Sequence, residues 1–122
     1  MFCRNDDGHH QVLVVDDDPA VVRLLKLTLR GGGFDVTGAS NGAEALEEIE
    51  RHRPEAVVLD IEMPVMNGRE FYARLRQRDA KIPVVILSAY NPRRVQLELG
   101  AQAYLSKPFE PDDLVDAVSR VV

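Results

Sequence analysis

Five short strand-like runs alternate along the whole chain with stretches whose apolar residues have helical spacing. The runs cover residues 11–15, 34–38, 55–60, 82–88 and 102–105. Short, continuous apolar runs are typical of strands that are buried on both faces, as in a parallel sheet. Five consecutive βα units therefore predict an α/β fold, a doubly wound five-stranded parallel sheet covered by helices on both faces.

The intervening segments carry start and stop signals for helices. Asp18 is a plausible cap before Pro19, and three consecutive glycines end the first helix after about Arg30. Asn41 opens a second helix, and Asn91-Pro92 opens a short fourth one that ends at Gly100. The third and fifth helices are predicted over residues 68–78 and 111–121.

Polar side chains follow four of the strand-like runs where each run ends. Asp16 and Asp17 follow the first run, Asp60 ends the third, Ser88 ends the fourth and Lys107 follows the fifth. The carboxyl ends of parallel strands meet at one edge of a sheet, where ligands of such folds bind. We therefore expect these five side chains to share one site.

The expected chemistry of that edge is magnesium and phosphoryl chemistry. Two carboxylates about 4 Å apart repel by roughly 4 kcal/mol at an effective dielectric constant of 20, so the cluster needs a proton or a cation. Carboxylate oxygens suit Mg²⁺, while an ammonium and a hydroxyl suit phosphoryl oxygens. A neutralised aspartate there could attack a phosphoryl donor and form an acyl phosphate.

These residues lie in stretches that resemble the receiver domain of two-component response regulators. The resemblance extends over about residues 11–121 and rests on five stretches in order: 12–19, 59–68, 86–89, 100–101 and 104–109. It implies a flavodoxin-like receiver architecture with strand order 2-1-3-4-5. It also implies a phosphoprotein of a phosphorelay that carries an aspartyl phosphate.

The resemblance implies a role for each matching residue at the acidic edge. Asp60 would be the phosphoacceptor and, with Asp17 and the backbone carbonyl of Glu62, would bind Mg²⁺ directly, with Mn²⁺ as the alternative ion. Asp16 would act on the metal through water. Lys107, joined to Pro108 by a cis bond, would contact the phosphoryl group.

Further roles concern the switch and its timing. Ser88 would be the switch hydroxyl and Tyr104 the switch aromatic. Glu62 and Tyr90 occupy positions that tune the hydrolysis of the acyl phosphate in this family. Because Tyr90 is bulky enough to shield a phosphoryl group from water, we expect slow autodephosphorylation.

The implied function is signalling and not conventional enzyme catalysis. A sensor histidine kinase or a histidine phosphotransfer protein would donate the phosphoryl group. The face formed by helix 4, strand 5 and helix 5 would then change and act on an output domain, a protein partner or a second copy in a homodimer. The segment from Ser88 to Gly100 is about one turn shorter than is usual in the family, so helix 4 is expected to be short or displaced.

Composition limits the other classes of function. The chain has 122 residues and a net charge of −5, which argues against direct nucleic-acid binding. Cys3 is the single cysteine and no apolar stretch approaches a membrane span, so a cytoplasmic location without membrane contact is expected. Residues 1–10 are expected to be a flexible leader and residues 11–122 the receiver domain, either a stand-alone regulator or a receiver excised from a longer protein, since 122 residues leave no room for an output domain.

Three alternative functions stay open on the residues alone. The main one is a receiver-like interaction domain that works without phosphate. A phosphatase of the Asp-x-Asp type would need a second aspartate where Asp60-Ile61-Glu62 has glutamate. A flavodoxin-like cofactor binder would need a phosphate-binding turn after the first strand, and that turn is acidic here.

Overall fold

The computed structural model describes residues 10–62, 68–78 and 81–122. Cys3 and the predicted leader up to residue 9 lie outside the described residues. So do residues 63–67, which belong to one of the stretches that carry the resemblance.

The described residues form one parallel sheet with the predicted strand order. The strands are β1 Gln11–Val15, β2 Asp35–Ala39, β3 Ala56–Asp60, β4 Val84–Ser88 and β5 Ala103–Ser106. They pair in the order β2-β1-β3-β4-β5, and every pairing is parallel. The helices are α1 Pro19–Gly31, α2 Gly42–Arg51, α3 Gly68–Arg78, α4 Pro92–Leu99 and α5 Pro111–Val121. The predicted α/β fold class is confirmed.

The core consists of two apolar layers, one on each side of the sheet. One layer contains Phe71 and Leu75 of α3, and the other contains Leu25 of α1 and Leu114 of α5. Every residue of β3 and β4 is buried, which agrees with strands that are covered on both faces. Two adjacent interior strands, β3 and β4, therefore place their last residues on a well-packed base.

Four of the five strands differ from the predictions by one or two residues, and β3 starts at Ala56 instead of residue 55. The β2 strand starts after Phe34, because the Phe34 amide donates to the carbonyl of Leu29 (3.1 Å) and closes the end of α1. The β4 strand starts at Val84 instead of residue 82. The β5 strand is shifted by one residue, and the Gln102 side chain accepts a hydrogen bond from the Val84 amide (2.8 Å).

Helix α4 is short, as predicted, with eight residues. Its N-cap Asn91 has a left-handed backbone (φ 47°), and its side chain accepts from the Arg94 amide at 3.3 Å. Gly100 ends the helix with φ 76°, a conformation that glycine adopts at little cost. An ion pair between Arg69 of α3 and Glu98 (3.3 Å) ties α4 to its neighbour. Within the described ranges, no helix has both the length and the apolar character needed to cross a membrane.

Candidate functional site

The carboxyl edge of the sheet brings together the side chains that the sequence placed at strand ends. Asp60 is the last residue of β3, and Ser88 is the last residue of β4. Asp16 directly follows β1, the neighbour of β3, and Lys107 directly follows β5. The Lys107 amide donates to the Ser88 carbonyl (3.0 Å), so β4 and β5 end side by side.

Lys107 is the cation of this site. Its Nζ lies 3.0 Å from Asp60 Oδ1 and 3.5 Å from Asp16 Oδ2, and the Lys107–Pro108 bond is cis, as the resemblance implies. Asp16 and Asp60 are only 1% and 2% exposed, whereas the Lys107 side chain is 26% exposed. One ammonium thus faces two buried carboxylates, which leaves the described cluster with an excess of negative charge.

Burial acts on the proton affinity of all three groups. It raises the pKa of Asp60 from 3.8 to about 6, although the hydrogen bond from Lys107 works in the opposite direction. Burial also raises the pKa of Asp16. For Lys107, burial lowers the pKa, but the hydrogen bond and charge of Asp60 and the charge of Asp16 outweigh it, and the net shift is upward. The two carboxylates thus resist ionising together.

The donor set fits a hard divalent cation. Asp16, Asp17 and Asp60 each place a carboxylate oxygen within 4.8 Å of the others. Asp17 is exposed and can receive an ion from solvent, while a hydrogen bond from the Asp18 amide (3.0 Å) orients Asp16. Oxygen ligands and a surplus of negative charge are what Mg²⁺ or Mn²⁺ requires. The ligand role of the Glu62 carbonyl stays a prediction.

The Glu62 side chain makes a contact that the sequence did not reveal. Its carboxylate accepts a hydrogen bond from the Ser88 hydroxyl (2.7 Å) and a second one from the Ala89 amide (3.3 Å). The Glu62 amide in turn donates to Asp60 Oδ1 (3.2 Å). Glu62 therefore links the predicted acceptor to the predicted switch residue. The resemblance assigns Glu62 a role in tuning hydrolysis, but the sequence carries no signal for the direction of a loop side chain.

The two tyrosines with predicted roles, Tyr90 and Tyr104, lie on the surface. Tyr90 is 75% exposed and Tyr104 is 41% exposed. The Tyr90 backbone contacts Ser88, because its amide donates to the hydroxyl (3.0 Å) and its carbonyl lies 3.1 Å from it. Tyr104 lies beside Ile86 in the β4–β5 register. The switch role of Tyr104 and the shielding role of Tyr90 remain predictions.

The raised pKa of Asp60 predicts how stability depends on pH. A carboxyl whose pKa rises from 3.8 to about 6 on folding keeps its proton in the folded state after the unfolded chain has lost it. The free energy of unfolding should therefore fall as pH rises between these values, by about 3 kcal/mol from Asp60, and no further above them. Denaturant titrations of the wild type and Asp60→Asn measure this, since the variant should lack that component. Equal pH profiles would contradict the prediction.

Mg²⁺ should reverse that loss of stability. An ion that binds only the folded state raises the free energy of unfolding. The increase should be larger at pH 7.5 than at pH 5, where protons compete for the carboxylates. Thermal unfolding with and without MgCl₂ at both pH values measures the difference, with NaCl at equal ionic strength as the control.

Family and sequence comparisons both relate the chain to response regulators. The family described as response regulator receiver domain matches residues 12–119. A transcriptional regulatory protein of Mycobacterium tuberculosis, PrrA, is 45% identical over 115 residues, which are 92% of this chain and 49% of that protein. PhoP of Bacillus subtilis, named as a regulator of alkaline phosphatase synthesis, is 37% identical over 92% of this chain and 48% of its own. The chain thus spans about half the length of these curated relatives.

Solved structures agree with the fold. The chemotaxis protein CheY4 of Vibrio cholerae superposes with a TM-score of 0.86 and 30% identity, over 93% of this chain and 99% of that one. The structure of a putative response regulator from Chloroflexus aurantiacus gives a TM-score of 0.84 and 38% identity, over 92% and 96%.

Proposed function

The chain belongs to the response regulator receiver domains of two-component systems, and on that premise we propose that it accepts a phosphoryl group on Asp60. The contact that carries the proposal is the 3.0 Å approach of Lys107 Nζ to Asp60 Oδ1, beside a second buried carboxylate. A nucleophilic carboxylate needs its charge balanced while a phosphoryl dianion approaches. Lys107 supplies part of that balance from the protein itself.

The transfer needs few protein groups. A carboxylate oxygen of Asp60 forms a bond to the phosphorus of a phosphohistidine, and the P–N bond breaks with its electron pair going to the leaving imidazole. Lys107 contacts a phosphoryl oxygen, as a point charge. The Ser88 hydroxyl donates to another. Asp17, Asp60 and the Glu62 carbonyl would hold Mg²⁺ directly and Asp16 would act on it through water; the ion supplies charge neutralisation when bound.

The donor is proposed to be a sensor histidine kinase or a histidine phosphotransfer protein. The phosphorylated domain then acts through the face formed by α4, β5 and α5. It acts there on an output domain, on a protein partner or on a second copy in a homodimer. Relatives carry the names "transcriptional regulatory protein" and "DNA-binding response regulator". This supports a transcriptional output outside the matched region, while residues 11–122 serve as the receiver domain without binding nucleic acid themselves.

Site mapping tests the proposal. The protein is incubated with a small acyl-phosphate donor with and without Mg²⁺ and is then treated with borohydride, which reduces an acyl phosphate to an alcohol. We expect homoserine at position 60 in the samples with Mg²⁺. No incorporation from the small donor or from a phosphorylated kinase, with no Mg²⁺-dependent binding of beryllofluoride, would favour the phosphate-independent interaction domain.

Tyr90 is proposed to slow the loss of the phosphoryl group. It lies two residues after Ser88, and its backbone amide and carbonyl lie 3.0 and 3.1 Å from the Ser88 hydroxyl. Tyr90→Ala keeps these backbone contacts and removes the ring, so the acyl phosphate should decay several-fold faster. Decay is followed after removal of the donor. Leu97→Ala, at another exposed apolar residue of this region, is the control. An unchanged decay rate in Tyr90→Ala would refute the shielding role.

A further inference from the structure

The Glu62 carboxylate occupies hydrogen-bond donors at the end of β4 that would otherwise face a phosphoryl group on Asp60. The Ser88 hydroxyl and the Ala89 amide both donate to it, at 2.7 and 3.3 Å. Ser88 is fully buried, while Glu62 is exposed and its carboxylate can turn into solvent. The contact joins two loops at the ends of adjacent strands, since Asp60 pairs with Leu87 in the β3–β4 register.

Ser88 and Ala89 each have a single proton to donate, and this limits how many acceptors they can serve. A serine hydroxyl has one proton and a backbone amide has one, so each donates one strong hydrogen bond at a time. The Ser88 proton has the Glu62 carboxylate at 2.7 Å and the Tyr90 carbonyl at 3.1 Å, and the nearer, charged acceptor makes the stronger bond. While Glu62 accepts both, neither group is available to a phosphoryl oxygen. A carboxylate acceptor also makes these bonds stronger than a neutral acceptor would. The resting protein therefore has an anion on its switch hydroxyl before any phosphoryl group arrives.

We propose that the Glu62 carboxylate is an internal competitor of the phosphoryl group for Ser88 and Ala89. This proposal rests on the proposed function and adds a regulatory residue to it. Phosphorylation of Asp60 then brings a dianion toward Glu62, and the carboxylate leaves for solvent as the phosphoryl oxygens take over its two donors. The free energy of the Glu62–Ser88 contact is a threshold that every activating ligand has to overcome.

Two substitutions separate this competition from plain charge repulsion. Glu62→Ala removes the competitor and Ser88→Ala removes the main donor. If Glu62 acts through Ser88, Glu62→Ala should tighten the Mg²⁺-dependent binding of beryllofluoride about tenfold in the wild-type background. In the Ser88→Ala background, the same change should have a clearly smaller effect, because it then releases only the Ala89 amide. Repulsion alone would give equal effects in both backgrounds.

The experiment is an NMR titration of the four proteins of this cycle with beryllofluoride at constant Mg²⁺. Glu47→Ala, which removes an exposed acid of α2, is the control for net charge. Glu62→Gln, which keeps the side-chain shape, should change affinity in the same direction as Glu62→Ala. Equal tightening in both Ser88 backgrounds, or no tightening at all, would overturn the proposal.

A second measurement needs neither metal nor phosphoryl analogue. In the metal-free protein, the Ala89 amide should exchange its hydrogen about tenfold faster in Glu62→Ala than in the wild type, because its acceptor is gone. Unchanged exchange would overturn the contact itself. If the wild type binds no beryllofluoride while Ala89 exchange responds as expected, the proposed function fails and the contact stands, so the two failures are distinguishable.

Discussion

Asp60→Asn is expected to abolish formation of the acyl phosphate. The amide has nearly the same shape as the carboxylate, but it is a poor nucleophile and offers a metal only one oxygen. Lys107 would still have Asp16 as a partner, so the fold of the site should persist. We expect phosphoryl incorporation from a small donor or from a kinase to fall at least a hundredfold, as measured by intact-protein mass spectrometry.

Asp116→Asn is the matched control. Its side chain is 70% exposed on α5, so the substitution makes the same chemical change far from the acidic edge. This variant should be phosphorylated like the wild type. Because the buried charge is removed, Asp60→Asn should also be more stable than the wild type near neutral pH, and a loss of incorporation therefore cannot be attributed to unfolding. Incorporation at the wild-type rate in Asp60→Asn would place the acceptor elsewhere, with Asp16 and Asp17 as the next candidates.

Lys107→Met is expected to cause the largest loss of stability. The methionine side chain keeps much of the apolar stem but removes the ammonium that lies between Asp60 and Asp16. Two carboxylates that are almost inaccessible to solvent would then face each other without a cation. Breaking a buried ion pair by removing one partner typically costs about 3–5 kcal/mol. Urea unfolding at pH 7.5 without divalent ions should show a loss at the lower end of that range.

The dependence on pH and on Mg²⁺ tests whether charge causes the loss of stability in Lys107→Met. The loss should shrink at pH 5, where a proton can replace the ammonium, because burial raises the pKa of both carboxyls. Mg²⁺ at pH 7.5 should restore part of the stability. Arg120→Met, which removes a cation whose side chain is 80% exposed, should cost almost nothing. A loss for Lys107→Met that is equal at both pH values and insensitive to Mg²⁺ would show that packing, and not charge, is responsible.

The sheet and the positions of the strand-end residues could be predicted because they follow from periodicity. A strand that is buried on both faces reads as a continuous apolar run, so its end is visible where Asp60 or Ser88 interrupts it. The helix start at Pro19 was visible for a similar local reason, since the Asp18 carboxylate accepts from the Ala20 amide (2.9 Å). In each case the signal lies within a few residues of the feature.

The parts that could not be predicted depend on contacts between distant segments. The start of β2 at Asp35 depends on how α1 ends. The Gln102 amide oxygen bonds to the Val84 amide, and its position in space is not encoded near residue 102. The turn of the Glu62 carboxylate toward Ser88 is of the same kind, because 26 residues separate the two. Side-chain directions in loops follow from tertiary structure and leave no local pattern.

The shortness of α4 has a consequence for any partner that binds there. A helix of eight residues has little stability of its own, because too few hydrogen bonds follow its nucleation. Its N-cap Asn91 adds the cost of a left-handed backbone. The measured affinity of a partner for this face will therefore include the free energy of forming the helix. Asn91→Ala removes the cap on the Arg94 amide and keeps the left-handed strain, so it should weaken the helix and lower the affinity of a partner without changing any residue of the helix itself.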